Sequence, residues 1–373
     1  MTRLLHLQLL PLLSGVQNFS LFLLDGLPEN QFDIYVASVP GGDLVDAVKA
    51  RGYHYLPLKH MKRPIAIDDT LALMELYSLM KRYNFDIVHT NSSKPGFLGR
   101  LAASFSHIPL ILYTAHGTSF HDDQPLWQQK IYRQLEKWAN SWGDYVVFVN
   151  SCDRLKYLEM GLVPPSKAIT IYNAIPYEQV EKFTKIAQKR TCNPSKREFV
   201  IGSTLRFSHQ KNVINLITAA CQACKNEPKL KFIILGEGEH WNICRMIVHS
   251  YGLEERIILP GWDVNIAQWL ALFDAFILYS RWEAQPFSVI EAMHSGLPVI
   301  VSDIPSLREM ITEECGWIVP LDNQPALIQC LIEVAQHPEI AFEKGVIANK
   351  RIKEISDYDT MVKSYLELYQ KVM

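Results

Sequence analysis

Short apolar runs alternate along the chain with longer stretches whose apolar residues recur every three or four positions. Runs of this kind, rich in Val, Ile and Leu, are expected of strands buried on both faces of a parallel sheet, with the longer stretches as covering helices. In the first part strands are predicted at 3–8, 32–37, 86–90, 109–115 and 144–149, and helices at 16–27, 43–51, 68–83, 95–106 and 125–142. After Ile171-Tyr-Asn-Ala-Ile-Pro176 the rhythm stops, and the polar stretch 176–197 reads as a surface linker. The rhythm then resumes, with strands at 198–204, 231–235, 256–259, 274–279 and 298–302 between helices at 212–226, 238–251, 265–272, 287–295 and 305–311. The pattern predicts an α/β chain of two Rossmann-like domains, 1–175 and 198–355, joined by 176–197 and closed by an amphipathic helix in 356–373. Sheets of this type bind ligands at the carboxyl ends of their strands, so the cleft between two facing domains is the expected place for chemistry.

Composition narrows the possible partners. The 373 residues carry 37 Lys+Arg against 39 Asp+Glu, a formal net charge of −2, so no strong overall field draws the molecule to nucleic acid or an anionic bilayer. Contact with either would need a local patch. Seven cysteines lack the even spacing of a disulfide framework, and the lone Cys221-x-x-Cys224 falls in a helical run without a second ligand pair, so buried small hydrophobes are expected rather than zinc. The N-terminal Met1–Gly15 is apolar, but His6, Gln8 and Pro11 interrupt it, and it reads as a buried strand and loop rather than a signal peptide. No run of 18 apolar residues occurs that would span a membrane.

Chemistry concentrates in a few strand-end segments. In Ser280-Arg-Trp-Glu283-Ala-Gln-Pro-Phe287-Ser288-Val-Ile-Glu291, a strand ends, a loop carries Glu283, and a helix starts near Phe287-Ser288 and stops at Gly296 ahead of Pro298. The free N–H groups of a helix start suit an anion. Taken alone, Ser288-x-x-Glu291 is also a capping box, and Glu283 reads equally well as a solvated loop acid. Arg206 and Lys211 lie in a loop entering a helix, where they meet an anion or simply face solvent. Leu235-Gly236-Glu-Gly238 is a strand-to-helix turn without the third glycine of a dinucleotide fingerprint. Gly15 follows the first strand, and His116, before Gly117, follows the fourth; a histidine there serves either structure or a ligand.

As a block, Glu283-x7-Glu291 with Ala-Met-x-x-Gly-Leu-Pro-Val-Ile, then Glu309 and Gly316-Trp-Ile-Val, resembles the E-x7-E retaining glycosyltransferases of family 4, also called glycosyl transferases group 1, which have the two-domain GT-B fold. The Gly202…Arg206…Gln210-Lys211 segment and the Gly236-x-Gly238 turn fit the same family. The resemblance implies that Glu283 contacts the donor sugar near the reacting carbon and that the main chain of Phe287 and Ser288 holds the donor phosphates. Glu291 would bind the ribose hydroxyls, Arg206 and Lys211 the diphosphate leaving group. Gly236 and Gly15 would allow close approach to the nucleotide, and His116 would reach the sugar. This sequence departs from the family at Ala284-Gln285, where Gly and Phe are usual.

The implied reaction is retaining transfer of a hexose or N-acetylhexosamine from a nucleotide-diphosphate sugar, UDP- before GDP-, to a glycan or lipid-linked acceptor in surface polysaccharide biosynthesis. No cofactor or metal is expected, because neither Asp68-Asp69 nor Asp122-Asp123 sits at a strand end. No nucleic acid partner is expected. The implied location is the cytoplasm, with peripheral contact on the inner face of the cytoplasmic membrane as a variant. A sugar phosphorylase or nucleotide-sugar epimerase on the same scaffold is an alternative reading. Another is a non-catalytic nucleotide-sugar-binding subunit of a membrane assembly, docked through Lys59-His-Met-Lys-Arg63 and the aromatic helix with Trp127, Tyr132, Trp138 and Trp142; that aromatic stripe reads equally as core.

Overall fold

The structure is a computed structural model that describes residues 1–62, 68–121, 123–192 and 198–372. It divides into two compact units, Met1–Ala174 with Tyr358–Met373, and Ile175–Asp357. The first unit holds β1 (Thr2–Leu7), β2 (Phe32–Ser38), β3 (His54–Pro57), β4 (Ile87–Asn91), β5 (Leu110–Ala115), β6 (Tyr145–Phe148) and β7 (Ala168–Thr170), all parallel, in the order β3-β2-β1-β4-β5-β6-β7. Leu4 at the centre pairs with Ile34 on one side and Ile87 on the other. Crossover helices α1 (Gly15–Asp25), α2 (Asp43–Ala50), α3 (Asp68–Tyr83), α4 (Ser93–Phe105) and α5 (Leu126–Trp142) lie close to their predicted spans, and α6 (Ser151–Glu159) leads towards β7. Ala72, Leu76 and Met80 of α3 pack with Leu98, Ala102 and Ala103 of α4 over Leu5, Leu7 and Val88 of the sheet, so the core of this unit is strand side chains capped by helix stripes.

The second unit repeats the plan. Its six parallel strands β8 (Phe199–Thr204), β9 (Leu230–Leu235), β10 (Ile257–Gly261), β11 (Ala275–Leu278), β12 (Val299–Ser302) and β13 (Gly316–Val319) run in the order β10-β9-β8-β11-β12-β13. The helices are α7 (Tyr177–Lys189), α8 (Val213–Asn226), α9 (Trp241–Tyr251), α10 (Ile266–Leu270), α11 (Phe287–His294), α12 (Pro305–Met310), α13 (Gln324–Gln336) and α14 (Pro338–Ile355). The last helix, α15 (Tyr358–Tyr369), belongs to the first unit, where the Tyr358 hydroxyl donates to the Phe22 carbonyl at 2.6 Å.

The stretch expected to be a polar linker over 176–197 is instead α7, a helix of the second unit, up to Lys189; residues 193–197 lie outside the described part. Phe183 is buried, α7 packs on α10 and α11, and Arg190 anchors its end by donating to the carbonyls of Ser295, Phe273 and Leu270 at 2.7, 2.6 and 2.5 Å. Three carbonyls around one guanidinium fix the segment far more firmly than its polar composition suggests. Cys221, Cys224 and Cys244 are buried thiols pushed up to about 12, 11 and 12 by desolvation, so they behave as packing residues.

Candidate active site

In a doubly wound sheet the crevice opens where strand order reverses, between the first strand and the strand on its other side. In the second unit that point lies between β8 and β11, and the two loops leaving it are the β8–α8 loop with Arg206 and Lys211 and the β11–α11 loop with Glu283. The loops are stitched together. Arg281 N–H donates to the Gln210 carbonyl at 2.8 Å, Gln210 Nε2 donates to the Trp282 carbonyl at 3.0 Å, and Ser306 Oγ donates to the Glu283 carbonyl at 2.8 Å. This framework sets Lys211 Nζ against Glu283 Oε1 in an ion pair whose side chains are 16% and 6% exposed. Arg206 lies apart from that pair, half exposed, its guanidinium 3.7 Å from Glu239.

The β9–α9 turn closes the other flank of the β8–α8 loop. Gly236 has φ +126°, and a Cβ there would fall 1.8 Å from the Leu205 carbonyl oxygen; Gly238 has φ +155° and a Cβ would fall 2.4 Å from the Phe207 carbonyl oxygen. Both glycines are thus set by the backbone of the cation-bearing loop, which Phe207 N–H ties to the Glu237 carbonyl at 2.9 Å.

Helix α11 begins at Phe287 with Pro286 as its N-cap, and no side chain caps it. Ser288 therefore stands inside the first turn, and the Ser288-x-x-Glu291 capping box does not form because the helix starts too early for Ser288 to be its cap. The Glu291 carboxyl has no hydrogen-bond partner among the described residues, and desolvation pushes it up to about 7. Burial therefore keeps a share of it protonated near neutral pH, and a donor such as a ligand hydroxyl would favour the charged form. The α11 C-terminus follows its sequence signals, with Gly296 in the left-handed region at φ 71°. The Ala284-Gln285 departure needs no glycine: no residue of the loop from Tyr279 to Pro286 has positive φ, and both side chains are buried.

In the first unit strand order reverses between β1 and β4. Gly15 opens α1 just past β1 and is exposed, while His116 follows β5. His116 Nε2 donates to Asn91 Oδ1 at 3.0 Å, Phe19 packs edge-on against the ring, and desolvation lowers the imidazole to about 3. It is therefore neutral, with the Nδ1 lone pair left to accept. Sequence reasoning missed what lies behind it. The Asn91 amide also reaches His6 at 3.5 Å, and Tyr369 of α15 bonds His6 Nε2 at 3.1 Å and His89 Nδ1 at 2.6 Å, while Thr114 joins His89 to Tyr365 at 2.7 and 3.0 Å. Burial lowers His6 to about 3 and His89 well below its usual value, so this is a network of neutral rings. No spacing signal marks it, because its members lie as far apart in sequence as His6 and Tyr369.

The described residues contain no group of three or more His, Cys, Asp or Glu side chains that could hold a metal ion. A cavity lined by Lys182, Arg190, Phe199 and Pro298 opens at the amino ends of the second sheet, away from the groups above. The stripe on α5 is core only in part: Trp127 and Trp138 are exposed, whereas Tyr132 packs against the buried cluster of Tyr113, Phe120, Phe148 and Tyr157 and Trp142 packs edge-on to Phe97. Of the basic cluster, Lys62 is paired with Asp68, and Arg63 lies outside the described residues.

Two Rossmann-like units with strand-end loops of this chemistry define a GT-B glycosyltransferase fold. Residues 13–179 match the family described as Glycosyltransferase Family 4, and residues 170–351 match Glycosyl transferases group 1. A curated relative from Escherichia coli, UDP-Gal:alpha-D-GlcNAc-diphosphoundecaprenol alpha-1,3-galactosyltransferase, is 31% identical over 88% of this chain and 87% of its own length. The putative glycosyltransferase EpsD of Bacillus subtilis is 25% identical over 80% of each chain. Among solved structures, Anabaena HepE in complex with UDP and glucose superimposes with a TM-score of 0.82 at 16% identity, covering 100% of both chains. The chain belongs to the group 1, family 4 glycosyltransferases and is a glycosyltransferase.

Proposed function

We propose that the protein transfers a hexose or N-acetylhexosamine from a UDP-sugar to a glycan or lipid-linked acceptor, with retention at the anomeric carbon, in surface polysaccharide biosynthesis. The observation that carries this reading is the Lys211–Glu283 pair held at the strand-order reversal beside the α11 N-terminus. Two relatives support the choice of substrate by name: the Escherichia coli enzyme uses UDP-Gal and a diphosphoundecaprenol-linked sugar, and HepE holds UDP and glucose. The relatives are named as transferases, so a phosphorylase, an epimerase and a non-catalytic subunit are not favoured.

In this reading the diphosphate lies against Lys211, Arg206 and the Phe287 and Ser288 main chain at the positive end of α11. The Gly236 turn lets the nucleotide approach the backbone. The ribose hydroxyls donate to Glu291, which removes its desolvation penalty, and Glu283 takes the sugar. On the first unit, Gly15 leaves the main chain at the head of α1 open to a phosphate, and the neutral His116 accepts from a sugar hydroxyl. As the anomeric C–O bond to the β-phosphate breaks, the acceptor oxygen bonds that carbon from the same face. Its proton passes to the departing phosphate oxygen, giving glycoside and UDP. Charge grows on the diphosphate, and fixed cations and amides in a dry site stabilise it without a divalent metal or covalent enzyme intermediate. The same reading places the enzyme in the cytoplasm, in peripheral contact with the membrane that carries its acceptor.

The test is product analysis with UDP-, GDP- and ADP-sugars and a lipid-diphosphate sugar acceptor, reading nucleotide release and the new anomeric configuration by NMR, with and without EDTA. Acceptor-dependent UDP release, a retained anomer and an unchanged rate in EDTA are expected. An inverted product contradicts retention, and a rate lost to EDTA and restored by magnesium contradicts metal independence.

A further inference from the structure

Behind His116, side chains from β1, β4, β5 and α15 are joined in single file within the first unit. From His116 the bonds run to Asn91 at 3.0 Å, on to His6 at 3.5 Å and to Tyr369 at 3.1 Å. They continue to His89 at 2.6 Å, Thr114 at 2.7 Å and Tyr365 at 3.0 Å. His116 at the head is partly exposed, and every group behind it is buried. The bonded partners are amides, hydroxyls and other rings, and desolvation keeps all three imidazoles neutral.

A neutral imidazole has one N–H and one lone pair, and a hydroxyl donates one proton, so in such a file the direction of one bond sets the direction of the next. Asn91 makes the choice by presenting Oδ1 to His116 and Nδ2 to His6. His6 Nδ1 therefore accepts, and its proton sits on Nε2, donated to the Tyr369 hydroxyl. Tyr369 in turn donates to His89 Nδ1, His89 Nε2 donates to Thr114, and Thr114 donates to Tyr365. The opposite direction needs the Asn91 amide turned over and the proton moved on all three rings.

From this we infer that Asn91 and Tyr369 are positioning residues that hold His116 in its Nε2–H tautomer, so that Nδ1 offers the sugar an acceptor and not a donor. Tyr369 acts from the last helix, through His6 and Asn91. In Tyr369→Phe the buried His6 Nε2–H has no acceptor. Reversing the first links restores one: His6 Nδ1–H donates to the turned amide, which donates to His116 Nε2 and leaves the His116 proton on Nδ1. The cost of an unpaired buried donor should shift the His116 tautomer ratio towards Nδ1–H at least about fivefold. The contact with the sugar rests on the donor reading of His116; the tautomer does not.

The test is long-range nitrogen–proton NMR of the full chain labelled in histidine, which tells the two tautomers apart without any donor, with signals assigned by single His→Gln variants. In the wild type His6, His89 and His116 should all carry the proton on Nε2. In Tyr369→Phe, whose ring keeps the edge contact with Phe32, His116 should shift as above while His89, still bonded to Thr114, keeps its form. An Nδ1–H form of any of the three in the wild type would overturn the proposal without recourse to a variant, and so would a His116 tautomer that Tyr369→Phe leaves unchanged. Turnover of UDP-galactose against its monofluorinated deoxy analogues then reads the consequence: fluorine cannot donate to Nδ1, so its penalty at the contacted position, taken as a ratio to the parent sugar, should shrink in Tyr369→Phe. A shifted tautomer with unchanged ratios would count against the sugar contact alone, which separates failure of the donor reading from failure of this one.

Discussion

Replacing Lys211 with glutamine is expected to lower transfer by about 10²–10³-fold at saturating donor, the magnitude typical of removing one preorganised group that meets growing transition-state charge. The expectation rests on placement: the ammonium is largely shielded from water and held by Glu283, so it does not need to be recruited when the diphosphate departs. Arg206, half exposed and loosely associated with Glu239, should matter less. Removing one member of a shielded ion pair also destabilises, by about 3–5 kcal/mol for a buried pair and less here because Lys211 retains some exposure. Thermal unfolding must therefore be followed beside turnover. The Lys211→Gln/Glu283→Gln double variant leaves no unpaired charge and should recover stability while remaining slow. A single variant that folds and turns over within about threefold of wild type would remove Lys211 from the mechanism.

The second large effect is expected at the turn after β9. Gly236→Ala places a Cβ 1.8 Å from the Leu205 carbonyl oxygen, so the β8–α8 loop must shift, and the strained φ adds about 1–3 kcal/mol. A total of roughly 3 kcal/mol or more corresponds to a fall in Tm of about 6–12 °C for a domain of this size, with transfer lost in whatever remains folded. Gly252→Ala is the control: its φ is also positive, at +65°, but nothing lies within 4 Å of the added carbon, so only the smaller conformational penalty of about 1 kcal/mol applies. If the two variants melt together, the close approach of turn and loop is not what the glycine serves.

Strands with continuous buried runs, such as β12 with Val299, Ile300 and Val301, were legible from sequence because burial on both faces requires an apolar residue at every position. The edge strands β3 and β7 were not, since at four and three residues they carry too little pattern to separate from a loop. Helix α7 was hidden by its composition: polar residues fill its exposed face, and Phe183 is its only fully buried side chain. At the site, Glu283 and Lys211 were each legible in their own segments, but their pairing depends on β8 and β11 being neighbours, which only sheet order supplies. Of the two readings of Ser288-x-x-Glu291, the capping box fails because the helix already starts at Phe287, with Pro286 as its N-cap. The His6–His89–Tyr369 network had no sequence signature, because the topology brings three separate elements together.

The central claim is that the second unit binds the donor diphosphate where the β8–α8 and β11–α11 loops meet. Amide hydrogen exchange with and without saturating UDP tests it most directly. The account predicts slowed exchange in 205–212, at the Gly236–Gly238 turn and at the start of α11 around Phe287 and Ser288, with that protection lost or weakened in Lys211→Gln. UDP binding that leaves these three segments unchanged and protects a different part of the chain would contradict it.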